Sequence, residues 1–260
     1  MLPAFFVAHG SPMMAVEQNE YTRVLSELGR QLKPKAVVLF SAHWESDPQV
    51  VGTAEQYRTI YDFGGFPDEL YQIKYPAPGA VDLAREIGAR LAAEGVPYRH
   101  DSERGLDHGA WVVLRLLFPN ADVPVVSMSV NAGLTPQEQY QVGKALAGLR
   151  ADDVLVIGSG VTVHNFGTLR WRDNSGVPDT WAVAFDSWVF DKASRWDLDS
   201  LFAYESLAPN ARLAVPPHGN EHFVPLFYAM GAADDQRTAK ELFRGYQMGN
   251  LSYVVWQFGG

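Results

Sequence analysis

Apolar and polar positions along the chain follow two periods, one of strands and one of helices. Residues 4–8, AFFVA, form an unbroken apolar run that stops at His9, Gly10, Ser11 and Pro12. A short run bounded by turn formers predicts a buried strand, here one that delivers an imidazole at its carboxyl end. In residues 19–31, Tyr21, Val24, Leu25 and Leu28 recur at helical spacing behind an asparagine start, and Lys33, Pro34 and Lys35 end the helix. A second apolar run, residues 36–44, AVVLFSAHW, closes on His43. Strand, helix and strand make a βαβ unit whose right-handed crossover sets the strands parallel. Both histidines are therefore expected side by side at one edge of a sheet.

The pattern continues in the same alternation. A short strand is expected at 50–54, an amphipathic helix at 80–94 stopped by Gly95 and Pro97, and a helix behind His108 built on Trp111, Val112, Leu114, Leu116 and Leu117. Residues 123–130 read as a buried strand and 136–149 as a helix. A strand at 154–158 runs into GSGVTVHN, so His164 again lies just past a carboxyl end. A helix at 181–196 carries Ala182, Phe185, Trp188 and Val189 on one face. Residues 213–226 bring His218, Glu221 and His222 to the start of a short apolar helix through Met230, and 241–247 and 251–258 are strand-like segments that close one edge. Strands alternating with helices predict an α/β fold with a mostly parallel central sheet, helices on both faces and histidines at the carboxyl ends of the strands. Residues 57–78 have no clean period and hold Tyr57, Tyr61, Phe63, Phe66, Tyr71 and Tyr75 among glycines and prolines. They read as a long ordered loop that lines a pocket or an oligomer contact, or whose aromatic rings simply pin it to the core.

Composition narrows the class of function. The 260 residues show no seam between halves, which predicts a single domain over 1–260, and 47% hydrophobic residues are enough for a substantial core. The formal charge of −9 with no basic cluster argues against nucleic acid and anionic membrane as partners and favours a small molecule. With no cysteine, disulfides, thiolate zinc knots, Fe–S clusters and a Cys nucleophile are excluded, so any metal is held by imidazole and carboxylate. The first residues lack the basic start and long apolar core of a signal peptide, and no apolar run approaches the roughly 20 residues of a bilayer span. A cytoplasmic location is expected.

Five of the seven histidines, His9, His43, His108, His164 and His222, sit in Gly-, Ser- or Asn-rich turns beside an apolar strand or helix. His100, in the charged stretch YRHDSER, reads as a surface residue. Imidazole and carboxylate ligands with open positions suit ferrous iron or catalytic zinc. Glu221 is a candidate carboxylate ligand and His222 an alternative third nitrogen; being adjacent on a helix start they would point about 100° apart, so one of them is expected to ligate. The remaining histidines are then free to move protons near neutral pH.

Seven separated motifs carry a resemblance over nearly the whole chain: AHGSP at 8–12, SAHW at 41–44, FGGFP at 63–67, YPAPG at 75–79, LDHGAW at 106–111, GSGVTVHN at 158–165 and NEHFVPL at 220–226. Together they resemble the 4,5-DOPA extradiol dioxygenase family, within the class III extradiol ring-cleaving enzymes. The resemblance implies a single α/β domain with a mononuclear non-haem Fe(II), with Zn(II) able to occupy the same site, that opens catechol rings next to the diol with O2. By motif it assigns His9, His43 and His222 as metal ligands. His164 matches a ligand in the DOPA-type branch and a catalytic base in more distant relatives, and His108 matches an acid/base histidine beside the metal. His218 departs from the family pattern. Ser11, Asn165 and Tyr253 are candidates to hydrogen-bond the substrate. The implied product is a muconic semialdehyde. Two other readings keep the site: a zinc hydrolase acting through bound water, and a metal-binding relative without activity. The sequence leaves a homo-oligomer open.

Overall fold

The computed structural model describes residues 1–173 and 175–260. Eight strands form one sheet: β1 (Ala4–Ala8), β2 (Ala36–Glu45), β3 (Gln49–Gly52), β4 (Tyr98–Asp101), β5 (Val125–Val130), β6 (Val154–Gly160), β7 (Ala239–Gln247) and β8 (Leu251–Phe258). Their order across the sheet is β4-β3-β5-β2-β6-β1-β8-β7. The four central strands are parallel, β5 to β2, β2 to β6 and β6 to β1. At one side β8 and β7 close the sheet antiparallel. At the other β3 runs antiparallel to β5 and β4 parallel to β3.

The βαβ expectation gave the right direction and the wrong neighbours. Strands β1 and β2 are parallel, but β6 lies between them, hydrogen-bonded to both. Crossover handedness fixes the sense of a parallel pair and leaves room for a later strand to be inserted. His9 and His43 thus sit one strand apart, at the same carboxyl edge, and the intervening strand becomes part of the site.

Alternate strand residues enter two cores, one on each face. Phe6, Val38, Phe40, Val126, Met128, Val156 and Trp256 face helices α2 (Val81–Ala93), α4 (Pro136–Ala145), α5 (Thr180–Ser194) and α9 (Pro225–Gly231). Phe5, Val37, Leu39, Leu155, Ile157 and Val255 face α1 (Glu20–Gln31) and α3 (His108–Leu117), with Tyr57 and Tyr75 of the aromatic loop. The loop is pinned into this second core: the Tyr57 hydroxyl accepts from Ser127 N at 3.1 Å, and the Tyr75 hydroxyl donates to the Phe118 carbonyl at 2.8 Å.

Several elements differ from their expected bounds. The helix expected to reach residue 149 stops at Ala145 and tightens into a 3-10 turn over Ala147–Asp152, and three short helices, α6 (Leu198–Phe202), α7 (Tyr204–Leu207) and α8 (Ala211–Ala214), follow α5 where no period was legible. Strand β4 lies in the segment read as a charged surface stretch; as an edge strand it tolerates that composition, and His100 is exposed as expected. No helix among the described residues is long and apolar enough to cross a membrane.

Candidate active site

Each histidine is placed by a backbone device that the sequence explains. His9 follows β1, and position 10 must be glycine on two counts: it takes φ +61°, and the ring of Tyr253 fills the space a Cβ would need. Two tyrosines brace that turn from below: the Tyr21 hydroxyl donates to the Ala8 carbonyl, and the Tyr253 hydroxyl accepts from Ser11 N at 3.1 Å. His43 lies near the end of β2. Two residues earlier, Ser41 donates at 2.6 Å to Asp107, which caps α3 by accepting from Ala110 N at 3.1 Å. That clasp sets the start of α3, and hence His108, against His43. Gly109 is required there, since a Cβ would stand 2.8 Å from Ser41 Oγ and 2.9 Å from His43 Cδ2.

The GSG that ends β6 uses the period of two. Gly158 and Gly160 face the turn before α9, where a Cβ would meet the carbonyls of Pro225 and His222, while Val161 N donates to the His222 carbonyl at 2.7 Å. Ser159 faces the opposite side and reaches His9. His222 is therefore delivered by an irregular turn laid on β6; α9 itself begins only at Pro225.

Three Nε2 atoms converge. His43 Nε2 is 3.1 Å from His9 Nε2 and 3.2 Å from His222 Nε2. Nitrogens about 2.0–2.1 Å from one ion stand roughly 3.0 Å apart at a right angle and roughly 3.4 Å apart in a tetrahedron, so the spacing fits one metal. The second nitrogens set the tautomers. Nδ1 of His222 faces Glu221 Oε1 at 2.8 Å, an atom that only accepts. Ser159 Oγ donates to the Gly109 carbonyl and so accepts from His9 Nδ1 at 3.2 Å. The Nδ1 of His43 faces Asp62 Oδ2 at 3.4 Å. With protons on Nδ1, three lone pairs point at one another in a buried space, an arrangement that a cation between them stabilises.

Asp62 is the residue the sequence reading missed. Its Oδ1 accepts from His108 N at 2.8 Å and its Oδ2 from His108 Nδ1 at 3.0 Å, so one carboxylate holds the backbone and the ring of the same histidine. A backbone ladder puts it there: Leu106 N donates to the Arg58 carbonyl and Ile60 N to the Leu106 carbonyl. Burial works to raise the Asp62 pKa, but the bond and charge of His108 and the charge of His43 hold it at about 2. Among the expected residues, His164 lies flat on His222, ring centroids 3.7 Å apart and planes 8° apart. Ligand atoms of His9, His43 and His108 form one compact group, and those of His164, Glu221 and His222 a second. Glu221 and His222 do not diverge as expected; the carboxylate turns onto the imidazole. His218 is exposed in a turn at φ +60°, outside both groups.

Ser11 and Asn165 line the same cavity as the histidines. The Asn165 amide is engaged with backbone, donating to the Leu213 carbonyl at 2.9 Å and accepting from Gly167 N at 3.0 Å. Tyr253 does not join them: it is buried beneath the Gly10 turn, with its hydroxyl donating to Gln247 Oε1 at 2.9 Å.

Comparison with known proteins now decides the family. A family model described as the catalytic LigB subunit of aromatic ring-opening dioxygenase matches residues 3–256. The chain belongs to the LigB family of ring-opening dioxygenases. Relatives named 4,5-DOPA dioxygenase extradiol include one from Beta vulgaris, 43% identical, with 98% of this chain and 95% of that one covered. Another, from Escherichia coli K12, is 38% identical, with 99% and 95% covered. A solved structure of an uncharacterized protein from Escherichia coli K12 superposes with a TM-score of 0.85 at 33% identity, covering all of both chains. This LigB-family dioxygenase is thus an extradiol enzyme by kinship, with a histidine cluster able to hold a metal ion.

The electrostatics of the dioxygenase give a first prediction. Burial, then neighbouring imidazoles, drive His9 and His222 well below 6.5; burial first lowers His43 to about 4 and His164 to about 3. A base with a depressed folded pKa contributes stability that is fully present above 6.5 and lost as pH falls towards the folded value. The unfolding free energy of the metal-free enzyme, read from urea titrations, is expected to drop steadily from pH 7 to pH 5, by about 2 kcal/mol for each of His43 and His164, and the urea midpoint to fall with it. A midpoint unchanged over that interval would show that these rings are not held neutral.

Proposed function

We propose that the enzyme is a non-haem Fe(II)-dependent extradiol dioxygenase that opens a catechol ring, such as that of DOPA, with O2 to give a muconic semialdehyde. The observation that carries this reading is the convergence of His9, His43 and His222 Nε2, 3.1 and 3.2 Å apart, on the floor of an apolar cavity beside two further imidazoles. Relatives that bear the name 4,5-DOPA dioxygenase extradiol support it. Zn(II) suits the same donors, and O2 chemistry is what favours iron.

In this reading His9, His43 and His222 would hold the metal, which would supply Lewis acidity and redox activity to the ring-opening chemistry. His164, neutral at pH 7 and stacked on His222, accepts a phenolic proton or adds a further nitrogen ligand. His108 keeps Nδ1 on Asp62, which leaves Nε2 to hold or return a proton as the oxygen–oxygen bond breaks. Phe63 meets the His108 ring edge-on at 5.7 Å and Val161 and Leu169 add apolar wall, which restricts water around the reacting ring. Ser11 and Asn165 line the same cavity and are the candidates to hydrogen-bond ring substituents, Asn165 by exchanging one of its backbone contacts. The ring carbon–carbon bond next to the diol is cut and both atoms of O2 enter the product.

Oxygen uptake tests the proposal. Metal-free protein reloaded anaerobically with Fe(II) and given DOPA, catechol or protocatechuate is expected to consume O2 and form a yellow semialdehyde, and the Zn(II)-loaded form is not. Absence of uptake with one iron bound per chain would favour a zinc hydrolase or an inactive relative.

A further inference from the structure

The cavity above the histidines holds about 900 Å³, room for a drug-sized molecule and far more than a single catechol ring fills. Beyond the histidines its wall is aromatic on two sides. On one, Phe63 meets His108 edge-on at 5.7 Å and Phe66 meets Phe63 edge-on at 5.4 Å. On the other, Phe166 meets His164 edge-on at 4.6 Å, and Trp171 lies parallel to Phe166, planes 9° apart and centroids 5.8 Å apart. Each of the two histidines outside the proposed metal triad thus continues outward into a pair of rings. The charged side chains on the wall, Asp62 and Glu221, stand at the inner end and are taken up by His108 and His222. The outer part is left to recognise shape and π surface.

One of these pairs is left mostly in water: Phe166 is 60% exposed and Trp171 61%. The loop that carries it is anchored. Arg170 pairs with Asp173 at 2.8 Å and Asp179 at 3.3 Å, its backbone N–H reaches the Met248 carbonyl, and Asn250 ties Thr168 to Asp179. Rings held ready on an anchored loop lose little freedom when a ligand covers them. A flat aromatic group placed there removes their faces from water and meets them edge-on or offset-stacked, which favours binding beyond the area covered. A saturated ring of the same size covers a similar area and offers no π face.

Resting on the ring-cleavage reading above, we propose that the outer pocket is a subsite for a second aromatic ring, so that the substrates of this enzyme include catechols joined to an aryl group, which Phe166 and Trp171 recognise. A single-ring catechol such as DOPA occupies the inner end and leaves the subsite open. Three catechols test it, bearing a methyl, a phenyl or a cyclohexyl group on the same ring carbon. Binding is measured by calorimetry on the Zn(II)-loaded enzyme, where no turnover is needed, and oxygen uptake on the Fe(II)-loaded enzyme. The phenyl compound is expected to bind at least about tenfold tighter than the methyl one and about threefold tighter than the cyclohexyl one. The Phe166→Ala/Trp171→Ala variant is expected to reduce the phenyl-to-methyl ratio to about threefold or less, and each single variant to give an intermediate ratio. Both rings are surface-exposed, so the variants are expected to keep their circular dichroism and metal content. Equal binding of the phenyl and methyl compounds would overturn the proposal, as would a cyclohexyl compound bound as tightly as the phenyl one, or a phenyl preference unchanged in the double variant. A phenyl preference without oxygen uptake by the iron form would leave the subsite standing and remove the dioxygenase reading alone.

Discussion

Replacing His43 with alanine is expected to abolish metal binding and turnover together. His43 is the middle of the donor set: its Nε2 lies 3.1 Å from that of His9 and 3.2 Å from that of His222, and its ring centroid stands 4.0 Å from that of His108. Without it the two remaining nitrogens have no common neighbour, and a site of three imidazoles becomes a pair. Because the metal would supply the Lewis acidity and bring both reactants together, its loss is expected to lower kcat/KM by about a thousandfold or more. The measurement is iron per chain, by emission spectroscopy after dialysis, alongside oxygen uptake. A variant that retained one iron per chain and near-normal uptake would remove His43 from the ligand set. The fold is expected to survive, since the side chain is 23% exposed and the β2 backbone keeps its ladder.

His108→Ala is expected to do the opposite: keep the metal and lose the chemistry. The ring is tethered by its Nδ1 to Asp62 and approaches His9 and His43 without either of the close nitrogen contacts that join the three proposed ligands. Loss of a positioned acid/base costs about 10²–10⁴-fold in kcat, with less change in KM because the catechol still finds its metal. Iron content, kcat and KM on one preparation read all three. Stoichiometric iron with a collapsed kcat supports the acid role; loss of iron would make His108 a ligand, which its grouping with His9 and His43 also permits.

Much of this site was legible because it is built from strand ends. Apolar runs that stop on a histidine pointed to His9, His43 and His164, and the turn before an apolar helix to His108. What the sequence withheld is what depends on long-range register. The insertion of β6 between β1 and β2 cannot be read from strand patterns, which say which residues form a strand and not where the strand sits. Asp62 escaped because the loop around it has no period, and only the pairing of residues 58–60 with Leu106 brings it to His108. One signal was present and unused: Ser159 is a hydroxyl in a strand buried on both faces, and a buried polar group in such a place needs a partner. Its partners are the Gly109 carbonyl and His9. The short helices between 198 and 214 fall below the length at which a helical period can be counted.

The place of β1 in the sheet has a consequence for how the polypeptide is made. Among the described residues its strand neighbours are β6 and β8, so Ala4–Ala8 pairs with segments some 150 and 250 residues later in the chain. At about 5–20 residues per second, Ala4–Ala8 waits on the order of ten to thirty seconds for β6. For β8 the wait is longer, on the order of ten to fifty seconds. Since the turn that presents His9 rests on Tyr253 of β8, the histidine cluster is completed only after β8 has been made. A nascent chain carries most of the clustered histidines long before it is able to bring them together.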